Sequence, residues 1–305
     1  MDVAGKAAFI TGGASGMGFG MAQAFLAAGM KVAIADIRQE HLDQAMAELQ
    51  PRWGADVMAV QLDVTDREGM AQAADAVEHA FGKVHVLCNN AGIGVIGRIV
   101  DYTYDDWDWM LDVNLTGVFN GVRTFLPRIL AHGEGGHIMS TASAGGLFVG
   151  DKGGPYSTAK FGVVAMMCCL RDDLARDGIG VSVLCPGAVR TNIHKTAELR
   201  PARYADSSFA PGEVIAGQSP EDAAAEREAM IAIAMDPLQI GEMVLAAVRA
   251  NRLYILPQPL QQIVGLRRDA ILASLPDEPV NQERLAADIA IRKMIASGTP
   301  LGRLS

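Results

Sequence analysis

The 305-residue chain predicts an α/β fold: a doubly wound parallel sheet of about seven strands with helices on both faces. Three observations predict it. Short apolar runs alternate with longer helix-forming stretches almost from the first residue, the pattern left by parallel strands joined through crossover helices. The runs are continuously apolar rather than alternating, as strands buried on both faces must be. A glycine-rich turn, TGGASGMG at Thr11 to Gly18, follows the first run and precedes the first helix. A turn so placed suits the phosphates of a dinucleotide.

The elements follow in order. Ala7 to Ile10 is a short strand, Phe19 to Ala28 a helix closed by Gly29, and Lys31 to Asp36 a second strand. A helix at Gln39 to Gln50, a strand at Val57 to Asp63, a helix at Arg67 to Phe81 and a strand at Val84 to Asn89 repeat the unit. Tyr104 to Leu130 reads as one long helix, Gly136 to Thr141 as a strand and Pro155 to Asp177 as a helix. Pro155 suits a first helical turn, where its missing N–H is not needed. Gly180 to Cys185 is a strand stopped by Pro186. Regularity then fades from Thr191 to about Pro237, apart from a helical stretch near Asp222 to Met235. Long irregular connections in compact domains are commonly functional, so a substrate lid is expected over about 192–237. A helix at Leu238 to Ala250 and a strand at Leu253 to Pro257 complete a catalytic domain of residues 1–257. Residues 258–305 read as an amphipathic helical extension, packed on that domain or on a partner subunit.

Composition excludes some functions. Half the residues are hydrophobic and 20% are charged, values ordinary for a globular enzyme. The net charge of -9 argues against nucleic acid as a partner, because phosphate backbones require a basic surface. Cys88, Cys168, Cys169 and Cys185 show no CxxC spacing and lie in apolar stretches, so they are expected to be small buried hydrophobes without a metal or redox role. The start, MDVAGKAAFITGG, lacks a secretory apolar run, and no stretch reaches the roughly 20 apolar residues of a membrane helix. A soluble cytoplasmic protein with no membrane partner is expected.

Two groups of residues carry the chemistry. Tyr156 and Lys160 stand four apart, which on a helix places them on one face. A nearby ammonium favours phenolate and lowers a phenol's pKa from about 10, making Tyr156 a proton donor and acceptor near neutrality. Beside a nicotinamide that is alcohol oxidation or carbonyl reduction. The second group begins with Gly12, Gly16 and Gly18, which allow a tight turn and a close backbone approach to phosphate. Asp36 ends the second strand, where a carboxylate accepts hydrogen bonds from the adenosine ribose. It also repels a 2′-phosphate, so NAD is expected over NADP. No Lys or Arg occupies position 15 or 37, and Arg38 is the one neighbour that softens the preference.

In order along the chain, TGGASGMG, Asp36, Asp63-Val64, Asn89-Asn90-Ala91-Gly92, Asn114 in NLTG, Ser143, Tyr156 with Lys160, and Pro186-Gly187 with Thr191 resemble the motifs of the short-chain dehydrogenases/reductases. The resemblance spans roughly Gly5 to Thr191, and the late LYILP strand also fits. It implies a single Rossmann-type domain and a set of roles. Gly12, Ser15, Gly16, Met17 and Gly18 would form the cofactor turn. Asp63 would bond the adenine amino group while the Val64 backbone lies beside the ring. Asn90, Ala91 and Gly92 would line the adenosine and ribose side, with Asn89 steadying the central strand. Val189 and Thr191 would hold the carboxamide. Catalysis would rest on Asn114, Ser143, Tyr156 and Lys160, with no metal. Ser143, thirteen residues before Tyr156, is the expected substrate-oxygen partner, and Ser140 a locally bonded strand-end hydroxyl. Ala142 departs from the commoner NISS pattern. Lys160 would hold the ribose hydroxyls and lower the tyrosine pKa. At Asn114 the main-chain carbonyl would bind a water, and the side chain would lock a local helix distortion.

The expected substrate pocket carries Ile93, Val95, Leu147, Phe148, Val149, Ile193, Tyr204 and Phe209, a lining suited to a bulky hydrophobic alcohol. MDVAGKAAFITGGASGMGFG, ADIRQEHLD, TYDDWDW, RPARY and LYILP look similar to bacterial benzylic Cα-dehydrogenases of lignin β-aryl ether breakdown. That resemblance implies oxidation of a benzylic alcohol to a ketone with NAD. A hydroxysteroid or another secondary alcohol is the enzymatic alternative. The alternative from another class is a dinucleotide-binding regulator, against which the retained Tyr, Lys and Ser speak. The family implies a homodimer or homotetramer, with Tyr104 to Leu130 and Pro155 to Asp177 as interface candidates.

Overall fold

The computed structural model describes residues 1–95, 97–149, 153–193, 195, 200–207, 225, 228–229, 231–275 and 281–296. The chain divides into two compact units, Met1–Leu260 and Gln261–Ser305.

In the first unit seven strands form one sheet: β1 (Ala7–Thr11), β2 (Lys31–Asp36), β3 (Val57–Gln61), β4 (Val86–Asn89), β5 (Gly136–Thr141), β6 (Ile179–Leu184) and β7 (Tyr254–Ile255). Their order is β3-β2-β1-β4-β5-β6-β7. Every pairing is parallel. The winding reverses between β1 and β4, which opens a crevice at the carboxyl ends of those strands. The helices are α1 (Gly16–Ala27), α2 (Gln39–Trp53), α3 (Arg67–Phe81), α4 (Tyr104–Leu111), α5 (Gly117–His132), α6 (Gly154–Asp173) and α7 (Pro237–Ala250).

Alternation along each strand builds two cores, because successive side chains point to opposite faces. Ala8, Ile10, Val32, Ile34, Val86 and Cys88 meet Met21 and Phe25 of α1, Leu42 and Leu49 of α2, and Ile240 and Val244 of α7. Their neighbours Phe9, Ala33, Ala35 and Leu87 meet Met70 and Val77 of α3, Phe125 and Ile129 of α5, and Val163 and Met167 of α6. Phe9 stacks on Phe125 with ring centroids 4.5 Å apart. The strands read as unbroken apolar runs because both faces are covered.

Several expectations need correction. The stretch read as one helix from Tyr104 to Leu130 is α4 and α5 joined by a wider π turn at Asp112–Thr116. The Asn114 side chain, wholly buried, donates to the Ile93 and Met110 carbonyls at 3.0 Å and accepts from the Ile93 N–H at 3.2 Å. Helix α1 starts at Gly16, inside the glycine run, rather than at Phe19. α6 ends at Asp173, short of Asp177, as the chain turns through Gly178 at φ 68° into β6. β7 holds only two residues, being an edge strand with one partner. Part of the helical stretch near Asp222 to Met235 lies outside the described residues, as does Phe209; residues 225, 228–229 and 231–233 are helical.

Cys88 and Cys185 are buried as expected, and burial pushes the Cys185 thiol up to about 12. Cys169 is exposed and Cys168 half-buried, contrary to expectation, because both follow buried Met167 around the outer side of α6. His85, His132 and Glu134 have donor types and proximity that suit a metal ion. Protein groups already engage them: His85 accepts from the Ala7 N–H and meets Glu134, while His132 meets the Val84 carbonyl and accepts from the Glu134 N–H. Among the described residues no helix is long and apolar enough to cross a membrane.

In the second unit lie α8 (Gln261–Ala273) and α9 (Gln282–Ala296). Their apolar side chains Leu266, Ile271, Leu272 and Leu285 are exposed.

Candidate active site

A groove of about 300 Å³ runs along the carboxyl ends of the central strands. Gly12, Ser15, Gly16, Met17, Asp36, Asp63, Val64, Asn90, Ala91, Gly92, Ser143, Tyr156, Lys160, Val189 and Thr191 all line it. Two residues expected at the site do not. Asn114 lies beneath the groove, tying the π turn to the loop after β4. Gly18 lies behind the turn: a Cβ there would stand 2.1 Å from the Gly12 carbonyl oxygen, so the glycine serves the close packing of α1 on the turn.

The turn is built for backbone approach. Gly12 and Gly16 adopt φ 61° and 51°, the left-handed region that glycine enters at no steric cost. A Cβ would stand 2.9 Å from Ala91 Cα at the first and 3.0 Å from Thr191 Cγ2 at the second, filling the cradle. Ser15 caps α1, whose N-terminal N–H groups carry partial positive charge. The cradle therefore fits a pyrophosphate. Asn90 locks its shape, donating to the Thr11 and Gly12 carbonyls at 3.2 and 3.3 Å and accepting from the Thr141 hydroxyl at 3.1 Å. Thr11 in turn accepts from the Asn90 and Ala91 N–H groups. Sequence reasoning missed these two threonines, which carried no signal beyond ending strands.

The end of the groove at Asp36 and Asp63 is acidic. Asp36 is buried and accepts from the Arg38 N–H at 3.1 Å, and Arg38 lines the groove beside it. Burial pushes the Asp63 carboxyl up, but two donors from Thr65 and one from Arg203 outweigh it and hold the group below its ordinary range.

At the other end stand the proton-transfer groups. Tyr156 and Lys160 share one face of α6, with the ammonium 5.7 Å from the phenol ring centroid. Lys160 Nζ donates to the Thr141 carbonyl at 3.0 Å, and burial pushes its pKa down to about 8. The phenol's pKa is raised by burial, opposed only by its bond with Ser143. The net shift is upward, against the expectation of a phenol held below about 10, because burial outweighs the groups around it. The Ser143 hydroxyl also accepts from the Gly145 N–H at 3.1 Å. Ser140 is wholly buried in β5, 3.3 Å from the Asn89 amide. A phenol beside a serine at the groove wall can give or take a proton at a substrate oxygen. Ser143→Ala is expected to lower kcat by about 10²-fold, the loss of one donor to a developing charge. Ser140→Ala should stay within about threefold of wild type, since the hydroxyl faces no ligand. Steady-state kinetics read both, and near-normal turnover in Ser143→Ala would overturn the assignment.

Beside Tyr156 the wall is apolar. Ile93, Val95, Trp109, Met110 and Tyr204 form a buried cluster against which Tyr102, Val113 and Tyr156 pack. Of the expected pocket residues Ile93 and Ile193 line the groove, Leu147 and Phe148 are half-buried, and Val149 is exposed. Trp109 and Val113 line it without having been foreseen, because they were read as the face of an uninterrupted helix.

A doubly wound sheet with a pyrophosphate cradle at one end of its crevice and a tyrosine–serine–lysine set at the other is that of a nicotinamide-dinucleotide-dependent oxidoreductase. The short chain dehydrogenase family profile matches residues 6–201, and the chain belongs to that family. It is similar to the C alpha-dehydrogenase of Sphingobium sp. strain SYK-6, 41% identical over 259 residues, 85% of this chain and 82% of that one. Among solved structures it resembles a short chain dehydrogenase/reductase from Burkholderia phymatum in complex with NAD, at TM-score 0.81 and 34% identity over 92% of this chain and 99% of that one. It also resembles LigD from Sphingobium sp. strain SYK-6, at TM-score 0.72 and 37% identity over 90% and 98%.

Proposed function

We propose that the protein oxidises a secondary, benzylic alcohol of a bulky aromatic substrate, of the lignin-derived β-aryl ether type, to a ketone with NAD. One observation carries the reading: the Tyr156 phenol, which lines the groove with Ser143, packs against the apolar and aromatic cluster of Ile93, Val95, Trp109 and Tyr204. Such a wall favours an aromatic alcohol over a sugar or small acid. The 41% identity to a C alpha-dehydrogenase supports the same substrate class.

In this reading Gly12, Ser15, Gly16 and Met17 hold the pyrophosphate, and Asp36 the adenosine ribose. Asp63 and Val64 hold the adenine, and Asn90, Ala91 and Gly92 the middle of the dinucleotide. Val189 and Thr191 hold the carboxamide. NAD, when bound, accepts the hydride from the carbinol carbon. Tyr156 as phenolate takes the hydroxyl proton while Ser143 donates to the oxygen and keeps it against the phenol. Lys160 holds the adjacent ribose hydroxyls and its charge favours the phenolate. Asn114 acts through the π turn, fixing the loop at Gly92 and Ile93. The protein acts as a cytoplasmic homodimer or homotetramer, with residues 1–257 catalytic and 258–305 a helical extension.

The test follows NADH absorbance with an aryl-ether dimer alcohol and a hydroxysteroid, using each cofactor. Turnover of the aryl ether should exceed that of the steroid, with kcat/KM for NAD about tenfold or more above that for NADP, because Asp36 meets a 2′-phosphate with like charge. Brisk steroid oxidation without aryl-ether turnover would transfer the assignment to a hydroxysteroid dehydrogenase. Binding of NAD without turnover across alcohols would favour the regulator.

A further inference from the structure

The segment 200–207 is a strap fastened to α4 and the π turn by polar bonds, with Asp106 and Tyr204 buried at its anchors. Arg200 donates to Asp106 at 2.5 Å and lies 4.5 Å over the Trp109 ring. Asp106, itself buried, also accepts from the Ser207 hydroxyl at 2.8 Å and the Thr103 N–H at 3.1 Å. The Tyr204 hydroxyl donates to Asp112 at 2.6 Å, and the Thr103 hydroxyl donates to the Asp206 carbonyl at 2.8 Å. Between these anchors a single 3-10 turn, Ala202–Tyr204, has its orientation set.

Arg203 sits on that turn and does something else. Its Nη2 donates to Asp63 Oδ2 at 3.1 Å and to the Thr65 hydroxyl at 2.7 Å, and its guanidinium lies 4.9 Å over the Tyr204 ring. It lines the groove together with Asp63 and Val64. The Arg203 side chain is 51% exposed and that of Asp63 25%, so an ion pair there adds little to the strap's attachment, which the other bonds already secure. Its position on the groove has another use. Asp63 Oδ1 is taken by two Thr65 donors, whereas Oδ2 holds Arg203 and keeps room for a second donor such as a purine amino group. A guanidinium is planar, weakly hydrated and stacks on π faces.

We propose that Arg203 is a cofactor-binding residue supplied by the strap, its guanidinium, oriented by Asp63, Thr65 and Tyr204, closing the adenine end of the groove over the purine. Part of the cofactor's affinity then resides in the segment that borders the substrate pocket, since neighbouring Tyr204 packs in the cluster beside Tyr156. The inference rests on the dinucleotide reading of the groove with adenine at Asp63.

The test is calorimetric titration of the full chain with ADP-ribose, comparing wild type, Arg203→Ala and the stem-preserving Arg203→Gln. Arg98→Ala, which removes an exposed pair with Asp101, is the control. Both Arg203 variants should raise the ADP-ribose Kd by about fivefold or more, as expected for a lost cation–π contact, with the control unchanged. The KM for the dinucleotide should rise in parallel while kcat stays within about twofold, because the lost contact is made equally before and during reaction. Unchanged Kd in both variants, or tighter binding showing that the bridge competes with the purine, overturns the role of Arg203 alone. A wild-type chain that binds no ADP-ribose overturns the dinucleotide reading and this inference together.

Discussion

Tyr156→Phe is expected to lower kcat by about 10³-fold or more while leaving ADP-ribose affinity within about twofold, because it deletes the proton-transfer group and little else. The substitution removes one oxygen from a half-buried ring and keeps the volume that the cluster of Ile93, Val95 and Trp109 packs against. Asp36, Asp63 and Asn90, the residues proposed to hold the adenosine side, lie on other elements of the groove. A parallel loss of ADP-ribose binding would show damage to the groove rather than to chemistry. The wild-type pH profile gives the same assignment independently. Burial raises the phenol's pKa, so phenolate is the minor form at neutrality. Oxidation, which needs phenolate, should accelerate as pH rises, and carbonyl reduction, which needs the phenol, should not. Lys160 discharges near pH 8, so the profile belongs to the tyrosine–lysine set rather than to either group alone. Turnover in Tyr156→Phe close to wild type, with the same pH slope, would refute the mechanism.

The sheet was legible because its signal is local. Apolar runs at Lys31 to Asp36 and Gly136 to Thr141 match β2 and β5 residue for residue, and Arg67 to Phe81 matches α3. The turn after β1 and the end of β2 were legible for a similar reason: two positive-φ glycines and a strand-ending aspartate announce themselves by type and spacing. What the sequence concealed depends on partners distant along the chain. The family resemblance gave a helix distortion at Asn114, but its partner Ile93, 21 residues away, is an encounter that nothing in LDVNLTG encodes. Arg203 meets Asp63 across 140 residues, so RPARY showed a basic lid element but not its partner. Gly18 was grouped with the cradle glycines by spacing, although its neighbour is the Gly12 carbonyl rather than the groove. The sign of the Tyr156 shift was lost in the same way. The i, i+4 spacing gives proximity, whereas burial is a property of the packed fold.

Lys160→Met is expected to abolish oxidation and at the same time stabilise the protein at pH 7, a pairing that separates a functional lysine from a structural one. The lysine is 3% exposed, and burial lowers its pKa from 10.5 to about 8. The folded state therefore releases a proton that the unfolded chain retains between those two values. Below pH 8 both states are charged and the full desolvation penalty stands, and through pH 8 to 10.5 it disappears as the unfolded ammonium also discharges. At 1.36 kcal/mol per pKa unit the penalty is about 3 kcal/mol. Its hydrogen bond to the Thr141 carbonyl offsets about 1 kcal/mol. Methionine fills a similar volume, so the variant should gain about 2 kcal/mol at pH 7, and denaturant midpoints should show that gain shrinking towards pH 10. Turnover should fall by about 10²-fold or more, because the phenolate loses the cation beside it. A variant destabilised at pH 7 would mean that Lys160 is retained for the fold. Stabilisation with activity intact would remove it from the chemistry. Only the opposed pair of changes matches a lysine kept buried at the expense of stability for the sake of the phenolate it faces.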